Sequence, residues 1–282
     1  MPVDQDRARE IESTSRMLAT PRGRRVRIID EGQGPPVVFL HGGVGSAAEW
    51  KPVLEAWPGR HRRLAIDAYG ADPGPTSDTS PTIDDYADQV MAVAADVAEP
   101  LHLVGFSWGG ATALRVATSN PSTVASLTVI EPQAYSLLPT EQPEAFATIA
   151  AMRDCWRECV AAGRWQEAYA GFLDYYNSPG WFASWPDHRR DAFLAEQQAR
   201  GDLWDVLFDS PLTPEALGAV TAPTLVVEGG RTGEVEQALC DMVHRHVPTS
   251  HHVVIDEAGH MMPLTHPKAL TAAILAHLET VT

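Results

Sequence analysis

The chain is short of cysteine, of positive charge and of long apolar runs, and each shortage excludes a class of protein. Only three cysteines occur among 282 residues. An odd number without a paired framework argues against a disulfide-stapled secreted scaffold and favours a reducing compartment. No apolar run reaches about 18 residues, so no membrane-spanning helix is expected. These shortages together predict a cytoplasmic protein with no membrane partner.

Acidic side chains outnumber basic ones by 37 to 21, which gives a formal net charge of -16. Such a charge argues against a nucleic-acid or anionic-membrane partner. Arginines are frequent near the N-terminus, as in transit peptides, but acidic residues are interspersed and no apolar core follows. We therefore expect no targeting signal there. The polar residues 1–15 are expected to form a flexible N-terminus.

Two signatures of cofactor binding are also missing. No group of histidines, cysteines and acidic residues has the spacing of metal ligands. The glycine-rich segment Gly42-Gly43-Val44-Gly45 lacks the G-x-G-x-x-G arrangement that binds dinucleotides. The sequence therefore predicts no metal and no cofactor, and a small molecule is the expected partner.

Short apolar runs alternate with segments of helical periodicity along most of the chain. Helical spacing is clearest over residues 83–98, between two of the apolar runs. Strands that alternate with helices are typical of a mostly parallel sheet covered on both faces. The predicted strands are Arg24 to Asp30, Pro36 to Leu40, Arg63 to Asp67, Leu101 to Phe106, Ser126 to Ile130, Pro223 to Glu228 and His252 to Ile255.

The interval 133–215 interrupts this alternation. It is rich in tryptophan, tyrosine and phenylalanine, and its apolar spacing indicates several short helices. We interpret it as a helical cap (lid) inserted into a core domain formed by residues 16–132 and 216–282. Most of its rings are expected to build the cap's own core, while several line a pocket beneath it. Trp181 and Trp185 are the candidates for that lining.

The segment Gly105-Phe106-Ser107-Trp108-Gly109 joins a predicted strand to an alanine-rich helical stretch. A serine between two glycines at such a sharp strand-to-helix turn presents its hydroxyl at the helix N-terminus. The glycines are required because side chains at those positions would collide with neighbouring elements. Ser107 is therefore the candidate nucleophile.

A serine nucleophile needs a general base and donors for the oxyanion. His260 follows the last predicted strand and precedes the C-terminal helix, from where it can reach back to Ser107. A second apolar strand runs into the turn at Gly42 and Gly43, where backbone N–H groups can face a ligand. The backbone N–H groups of Gly43 and Trp108 are the candidate oxyanion donors.

Other residues near these turns are candidates for the substrate pocket, namely His41, Val44 and Met261. A turn-stabilising role is the preferred interpretation of His41, ahead of a catalytic one.

The motifs His41-Gly42-Gly43, Gly105 to Gly109 and Gly259-His260, in this order, resemble the α/β-hydrolase superfamily with a serine nucleophile. The resemblance runs from about Arg24 to the end of the chain. It implies an α/β fold with a mostly parallel, eight-stranded type of sheet flanked by helices, and a cap at the place found here. It also implies serine hydrolase chemistry without a cofactor.

One departure from the family concerns the acid of the triad. In most of these enzymes that acid follows the penultimate strand, but here the slot holds Thr232. Glu131, at the end of the strand after the nucleophile's helix, is the main candidate. Haloalkane dehalogenases and zearalenone-type lactonases place their acid at the equivalent strand end. The alternatives that stay open are Glu228, Glu234 and Glu236.

The sequence thus predicts a serine hydrolase that cleaves a carboxylic ester, lactone or thioester through Ser107, His260 and Glu131 and an acyl-enzyme. The aromatic cap suggests a small to medium, mainly apolar substrate. Two alternatives remain. The same triad could support C–C bond hydrolysis or cofactor-free peroxidation, or the chain could be a ligand-binding protein that lost turnover.

Overall fold

A computed structural model describes residues 15–68 and 81–281 of the chain. The expectation of a flexible segment over residues 1–15 lies outside the described residues, except for Ser15. All seven predicted strands are present, and Ser15–Ala19 adds an edge strand that the sequence did not predict. The strands are β1 (Ser15–Ala19), β2 (Arg25–Glu31), β3 (Pro36–Leu40), β4 (Arg62–Asp67), β5 (Leu101–Phe106), β6 (Val124–Ile130), β7 (Thr224–Gly229) and β8 (Ser250–Ile255).

The eight strands form one sheet in the order β1-β2-β4-β3-β5-β6-β7-β8. β2 pairs antiparallel with β1 and with β4, and the pairs from β4 to β8 are parallel. Every residue of β3 and β5 is buried, as expected of parallel strands covered on both faces. Successive side chains alternate between two cores, so Val38 and Leu40 pack on one face and Val37 and Phe39 on the other. The α/β-hydrolase fold predicted from the sequence is confirmed.

Helices follow most of the strands and cover both faces of the sheet. One begins at a capping box in which the Thr82 amide and hydroxyl donate to Asp85. The helices are α1 (Lys51–Glu55), α2 (Ile83–Val97), α3 (Trp108–Ser119), α4 (Leu138–Glu141), α5 (Pro143–Ala161), α6 (Trp165–Tyr176), α7 (Asp187–Arg200), α8 (Trp204–Phe208), α9 (Pro214–Leu217), α10 (Glu234–His246), α11 (Met262–Thr265) and α12 (Pro267–Glu279). Within the described ranges, none is both long and apolar enough to cross a membrane.

The helices α4 to α9 lie between β6 and β7, in the interval where the sequence predicts a cap. Aromatic rings pack these helices together: the ring of Trp156 makes edge contacts with Trp165, Tyr169 and Trp204. The aromatic residues of this interval thus form a core among the helices, as expected. The division of the chain at residues 133 and 215 stays a prediction.

Close packing of α3 against the sheet depends on glycine. A Cβ atom built on Gly109 would lie 2.2 Å from the carbonyl oxygen of Leu40, and one on Gly105 would lie 2.3 Å from the carbonyl oxygen of Gly109. These neighbours are backbone atoms, which cannot move aside as a flexible side chain can. The start of α3 is therefore held against β3 and β5 at a distance that only glycine permits.

We expect Gly109→Ala to lower the free energy of unfolding by about 3 kcal/mol, because the methyl group forces α3 away from β3. Urea denaturation of the purified protein measures this change. Gly171→Ala is the matched control, because Gly171 lies in α6 and has nothing within 4 Å of an added Cβ. That substitution should stabilise the protein by about 0.5–1 kcal/mol. Equal stability of the two variants would contradict the packing argument.

Candidate active site

Ser107 lies between β5 and α3 in a backbone conformation with φ 56° and ψ -116°. A non-glycine residue at positive φ costs about 1–3 kcal/mol and persists only where its surroundings fix it. Here the Ser107 amide donates to the carbonyl of Ile130 at 2.8 Å, and the Ser107 carbonyl accepts from the amide of Gln133 at 3.0 Å. The turn is therefore held from the end of the neighbouring strand β6.

His260 lies on the loop between β8 and α11, and its imidazole contacts Ser107. The Nε2 atom is 3.1 Å from the Ser107 Oγ, and the Nδ1 atom is 2.6 Å from Oε2 of Glu131. The ring packs between Phe106 and Tyr176, whose ring centroids lie 4.9 and 4.4 Å away. The structure thus brings together three residues that are far apart in the sequence, and both imidazole nitrogens have partners.

Glu131 is fully buried, and each of its carboxyl oxygens accepts hydrogen bonds. Oε1 accepts from the Gly229 amide at 2.7 Å, and Oε2 accepts from the Thr232 hydroxyl at 2.9 Å as well as from His260. A buried carboxylate needs donors of this kind to offset the loss of water. Thr232, which fills the family's usual acid slot, therefore serves as a donor to the carboxyl of Glu131.

The other candidate acids have different partners. Glu236 is buried in α10 and accepts from the Tyr175 hydroxyl at 3.1 Å. Oε2 of Glu228 lies 3.1 Å from Nε2 of His252. Glu234 begins α10. Among the acidic residues of the described ranges 15–68 and 81–281, Glu131 is the one whose carboxyl bonds to the His260 imidazole.

Glu228 also belongs to a group that the sequence did not reveal. Its carboxyl comes together with Asp241 and His252, and the potential ligand atoms of the three lie within 4.8 Å of one another. Their separation along the chain matches no short ligand motif. None of the three contributes to the cavity at Ser107.

Burial and the surrounding carboxyls shift the pKa of His260 in opposite directions. Burial lowers the pKa of the imidazole, but the hydrogen bond that its Nδ1–H donates to Glu131 and the charges of Glu131, Glu236 and Glu49 outweigh it. The pKa of His260 therefore lies above its usual value of 6.5. The imidazolium is the form that negative charge on these neighbouring carboxyls stabilises.

A pH dependence follows if His260 must accept a proton from Ser107. The imidazole can do so only when it is neutral, so kcat/KM falls as the pH drops through the pKa of the free enzyme. We expect the acidic limb of the kcat/KM profile to have its midpoint above about 6.5. Initial rates with an uncharged ester, measured between pH 5 and 9, locate this midpoint. A midpoint well below 6 would contradict the assignment.

Gly43 and Trp108, the predicted oxyanion donors, are neighbours in the structure. A Cβ atom built on Gly43 would lie 3.3 Å from Cε3 of Trp108. Gly43 belongs to the turn after β3, and Trp108 is the first residue of α3. The end of β3 and the start of α3 therefore come together beside Ser107, and the role of the two backbone amides as oxyanion donors stays a prediction.

His41 lies in the turn after β3 and does not line the cavity at Ser107, so its prediction as a pocket residue is corrected. Its Nδ1 donates to the Gly42 carbonyl at 2.7 Å, and its Nε2 accepts from the Ala68 amide at 3.1 Å. Burial lowers the pKa of His41 to about 4, so the ring is neutral at physiological pH. This neutral ring stabilises the turn, in line with the preferred interpretation of the sequence.

A cavity of about 530 Å³ opens above Ser107 and His260. Its size is typical of sites for small molecules. The pocket candidates Val44, Trp181, Trp185 and Met261 all line it. Residues of α6 and α7 complete the wall, among them Phe172, Tyr176 and Phe193.

Two residues of the site had no signal in the sequence. Glu49 lies in a short 3₁₀ turn, and its Oε2 accepts from the Gly42 amide at 2.8 Å beside the cavity. Burial raises the pKa of Glu49 to about 7. Gln133 donates through Nε2 to the Tyr176 hydroxyl at 2.8 Å, which fixes the ring that covers His260. Neither residue belongs to a recognisable motif.

Residues 37–274 match the family model described as "Alpha/beta hydrolase family". The chain therefore belongs to the α/β-hydrolase family, and the resemblance seen in the sequence is confirmed. The fold, the family and the elbow serine define an enzyme of the hydrolase class.

Particular relatives and solved structures are similar over most of their length. The chain is 27% identical to "Pimeloyl-[acyl-carrier protein] methyl ester esterase" of Aeromonas hydrophila, over 84% of this chain and 92% of that protein. It is 30% identical to "2-succinyl-6-hydroxy-2,4-cyclohexadiene-1-carboxylate synthase" of Salmonella typhimurium, over 80% and 86% of the two chains. The crystal structure of a "putative lipase" from Acinetobacter baumannii superposes with a TM-score of 0.77 at 17% identity, covering 100% of this chain and 97% of that one.

Proposed function

We propose that the protein hydrolyses carboxylic esters through an acyl-enzyme on Ser107. One observation carries the proposal: the contacts from the Ser107 Oγ to His260 and from His260 to Glu131 form a continuous path of 3.1 and 2.6 Å. This is the arrangement in which an imidazole activates a hydroxyl while a carboxylate fixes its tautomer. The relative named "Pimeloyl-[acyl-carrier protein] methyl ester esterase" supports an ester as the bond that is cleaved.

In the proposed reaction His260 Nε2 takes the Ser107 proton as Oγ attacks the ester carbonyl carbon. The backbone N–H groups of Gly43 and Trp108 stabilise the resulting oxyanion. The intermediate collapses as the imidazolium returns its proton to the leaving alkoxide, which departs as the alcohol. A water molecule, deprotonated by the same imidazole, then releases the acid and restores Ser107. Glu131 stabilises the imidazolium in both halves of the reaction.

The substrate of this proposal is a small to medium, mainly apolar molecule. The cavity of about 530 Å³ is walled by Trp181, Trp185, Phe172 and Phe193, and such walls favour apolar groups. Helices α4 to α9 act in this proposal as the cap that supplies those walls.

The proposal also includes lactones and thioesters, because they carry the same electrophilic acyl carbon as esters. Every proton in the scheme moves between side chains of the protein, the substrate and water, so no cofactor is invoked.

The alternative of a binding protein without turnover is supported by Thr232, which occupies the position where most members of the family carry the triad acid. Its hydroxyl donates to the carboxyl of Glu131 at 2.9 Å, so the departure from the family pattern is matched by a carboxylate at another strand end. This favours turnover over a binding-only role.

Steady-state hydrolysis of short-chain p-nitrophenyl esters, a γ-lactone and an acyl thioester tests the proposal, together with labelling by a fluorophosphonate probe. We expect ester turnover and a labelled peptide that contains Ser107. Labelling without turnover of any of these substrates would contradict ester hydrolysis and favour C–C hydrolysis or peroxidation on the same triad. The absence of both from folded protein would favour a binding protein.

A further inference from the structure

A second, smaller cavity of about 60 Å³ adjoins the main one. The two share Gly43, Val44, Gln133 and Phe172 in their walls. The smaller cavity is otherwise enclosed mainly by aromatic rings from α3, α5, α6 and α8, including Trp108, Trp156, Tyr169 and Trp204. It therefore forms a side chamber of the site.

The proposed reaction assigns the two halves of an ester to the two cavities. The imidazole of His260 must lie beside the leaving oxygen in order to protonate it. His260, Met261 and Leu264 line the large cavity and are absent from the lining of the side chamber. Of the two cavities, Trp108 lines only the side chamber and Gly43 lines both, and the amides of these two residues are proposed to hold the carbonyl oxygen. The alcohol portion thus fits the large cavity, and the acyl chain extends into the side chamber.

Three amide or guanidinium side chains interrupt the apolar lining of the side chamber, namely those of Gln133, Gln197 and Arg200. The Gln133 amide already donates to the Tyr176 hydroxyl. Gln197 and Arg200 are three residues apart on α7, which places them on one face of the helix. Gln197 is only 2% exposed, and its Nε2 has no hydrogen-bond partner within the described part of the chain. A buried amide donor without a partner is costly, and an acceptor oxygen on a bound ligand would remove that cost.

Arg200 adds positive charge to the same wall. Its guanidinium lies 3.5 Å from the Gly43 carbonyl oxygen and 3.4 Å from that of Gly45, and it pairs with Glu196. The guanidinium thus bridges α7 to the turn that carries the proposed oxyanion donor. Gln197 and Arg200 both offer N–H groups, so this wall of the chamber is complementary to an oxygen that accepts hydrogen bonds.

We propose that the side chamber is an acyl subsite that selects short acyl chains bearing an acceptor oxygen. The Gln197 amide donates a hydrogen bond to that oxygen, and the positive charge of Arg200 attracts it. This inference rests on the proposed ester hydrolysis. It narrows the substrate class to esters of short keto or carboxy acids, in which the oxygen lies a few atoms from the reacting carbonyl.

Three p-nitrophenyl esters of similar shape test this proposal: the 4-methylpentanoate, the 4-oxopentanoate and the hemisuccinate. The first has a methyl group where the second has a ketone oxygen and the third a carboxylate. We expect wild-type kcat/KM to favour an oxygen-bearing ester over the 4-methylpentanoate by at least about fivefold, the effect of one hydrogen bond. A ketone preference identifies a neutral acceptor, and a hemisuccinate preference identifies an anion.

Gln197→Leu should abolish that preference by lowering kcat/KM for the oxygen-bearing esters to about the value for the 4-methylpentanoate. Gln198→Leu is the matched control on the same helix, because Gln198 is exposed, and it should keep the preference. Should Gln197→Leu fail to fold, Gln197→Glu replaces it, and this variant should reduce turnover of the hemisuccinate more than that of the other two esters.

Equal rates for the three esters in the wild type, or a preference that survives both Gln197 substitutions, would overturn the acyl subsite while leaving ester hydrolysis intact. Failure of the protein to cleave even p-nitrophenyl butyrate would count against the proposed function itself. The two failures are therefore distinguishable in one set of assays.

Discussion

Replacement of Ser107 by alanine is expected to lower kcat/KM for p-nitrophenyl butyrate by at least about 10⁴-fold. The hydroxyl lies 3.1 Å from Nε2 of His260, and no acyl-enzyme can form without it. Residual turnover would come from the oxyanion donors and from binding alone. Initial rates over a range of ester concentrations measure the loss.

Ser119→Ala is the control for this prediction. Ser119 lies at the other end of α3 and is exposed, so its substitution removes a serine from the same helix without touching the site. We expect its activity to equal that of the wild type. The Ser107→Ala variant should also retain its fold, because the methyl group is smaller than the hydroxymethyl group it replaces. A Ser107→Ala variant that kept a tenth of the activity would rule out Ser107 as the nucleophile.

Glu131→Gln is expected to reduce kcat by about 10³–10⁴-fold, the loss seen when the triad carboxylate of a serine protease becomes an amide. Both carboxyl oxygens accept hydrogen bonds, from the Gly229 amide on one side and from His260 and Thr232 on the other. A glutamine has one oxygen and one NH₂ group. The NH₂ group must therefore face either the Gly229 amide or the Nδ1–H of His260, and the imidazole loses its orientation or its tautomer.

Two further variants separate this explanation from a general loss of structure. Glu234→Gln should change kcat by no more than a few fold, because Glu234 begins α10 and the two imidazole nitrogens of His260 have Ser107 and Glu131 as their partners. Thr232→Asp in the Glu131→Gln background should recover part of the activity, because the Thr232 hydroxyl lies 2.9 Å from Glu131 Oε2. Full activity of Glu131→Gln would instead direct attention to Glu228 or Glu236.

The strands and the nucleophile turn could be predicted because their signals are local. The buried runs of β3 and β5, and the glycines on either side of Ser107, are each read from a few neighbouring residues. The edge strand β1 was missed because its residues are only partly buried and show no apolar alternation. Edge strands bury one side at most, so their side chains are weakly constrained.

The contacts within the candidate site depend on residues far apart in the chain. The hydrogen bond of Thr232 to Glu131 joins residues 101 positions apart. The sequence showed that Thr232 fills the usual acid position and that Glu131 is a candidate acid, but it did not show that the two residues are in contact. His41 was predicted to line the pocket because it precedes Gly42 and Gly43, yet its ring bonds to Gly42 and Ala68. Glu49 and Gln197 belong to no sequence motif, because their surroundings are formed by segments that are distant in the chain and meet only in the fold.

Detection of the acyl-enzyme is the most direct test of the proposed mechanism. Wild-type protein mixed with p-nitrophenyl butyrate, quenched in acid within the first turnover and digested, is analysed by mass spectrometry. The mechanism predicts a butyryl group on the peptide that contains Ser107, and none after the same treatment of Ser107→Ala. Turnover without such an adduct, or a butyryl group on another side chain that forms as fast as the product, would contradict it.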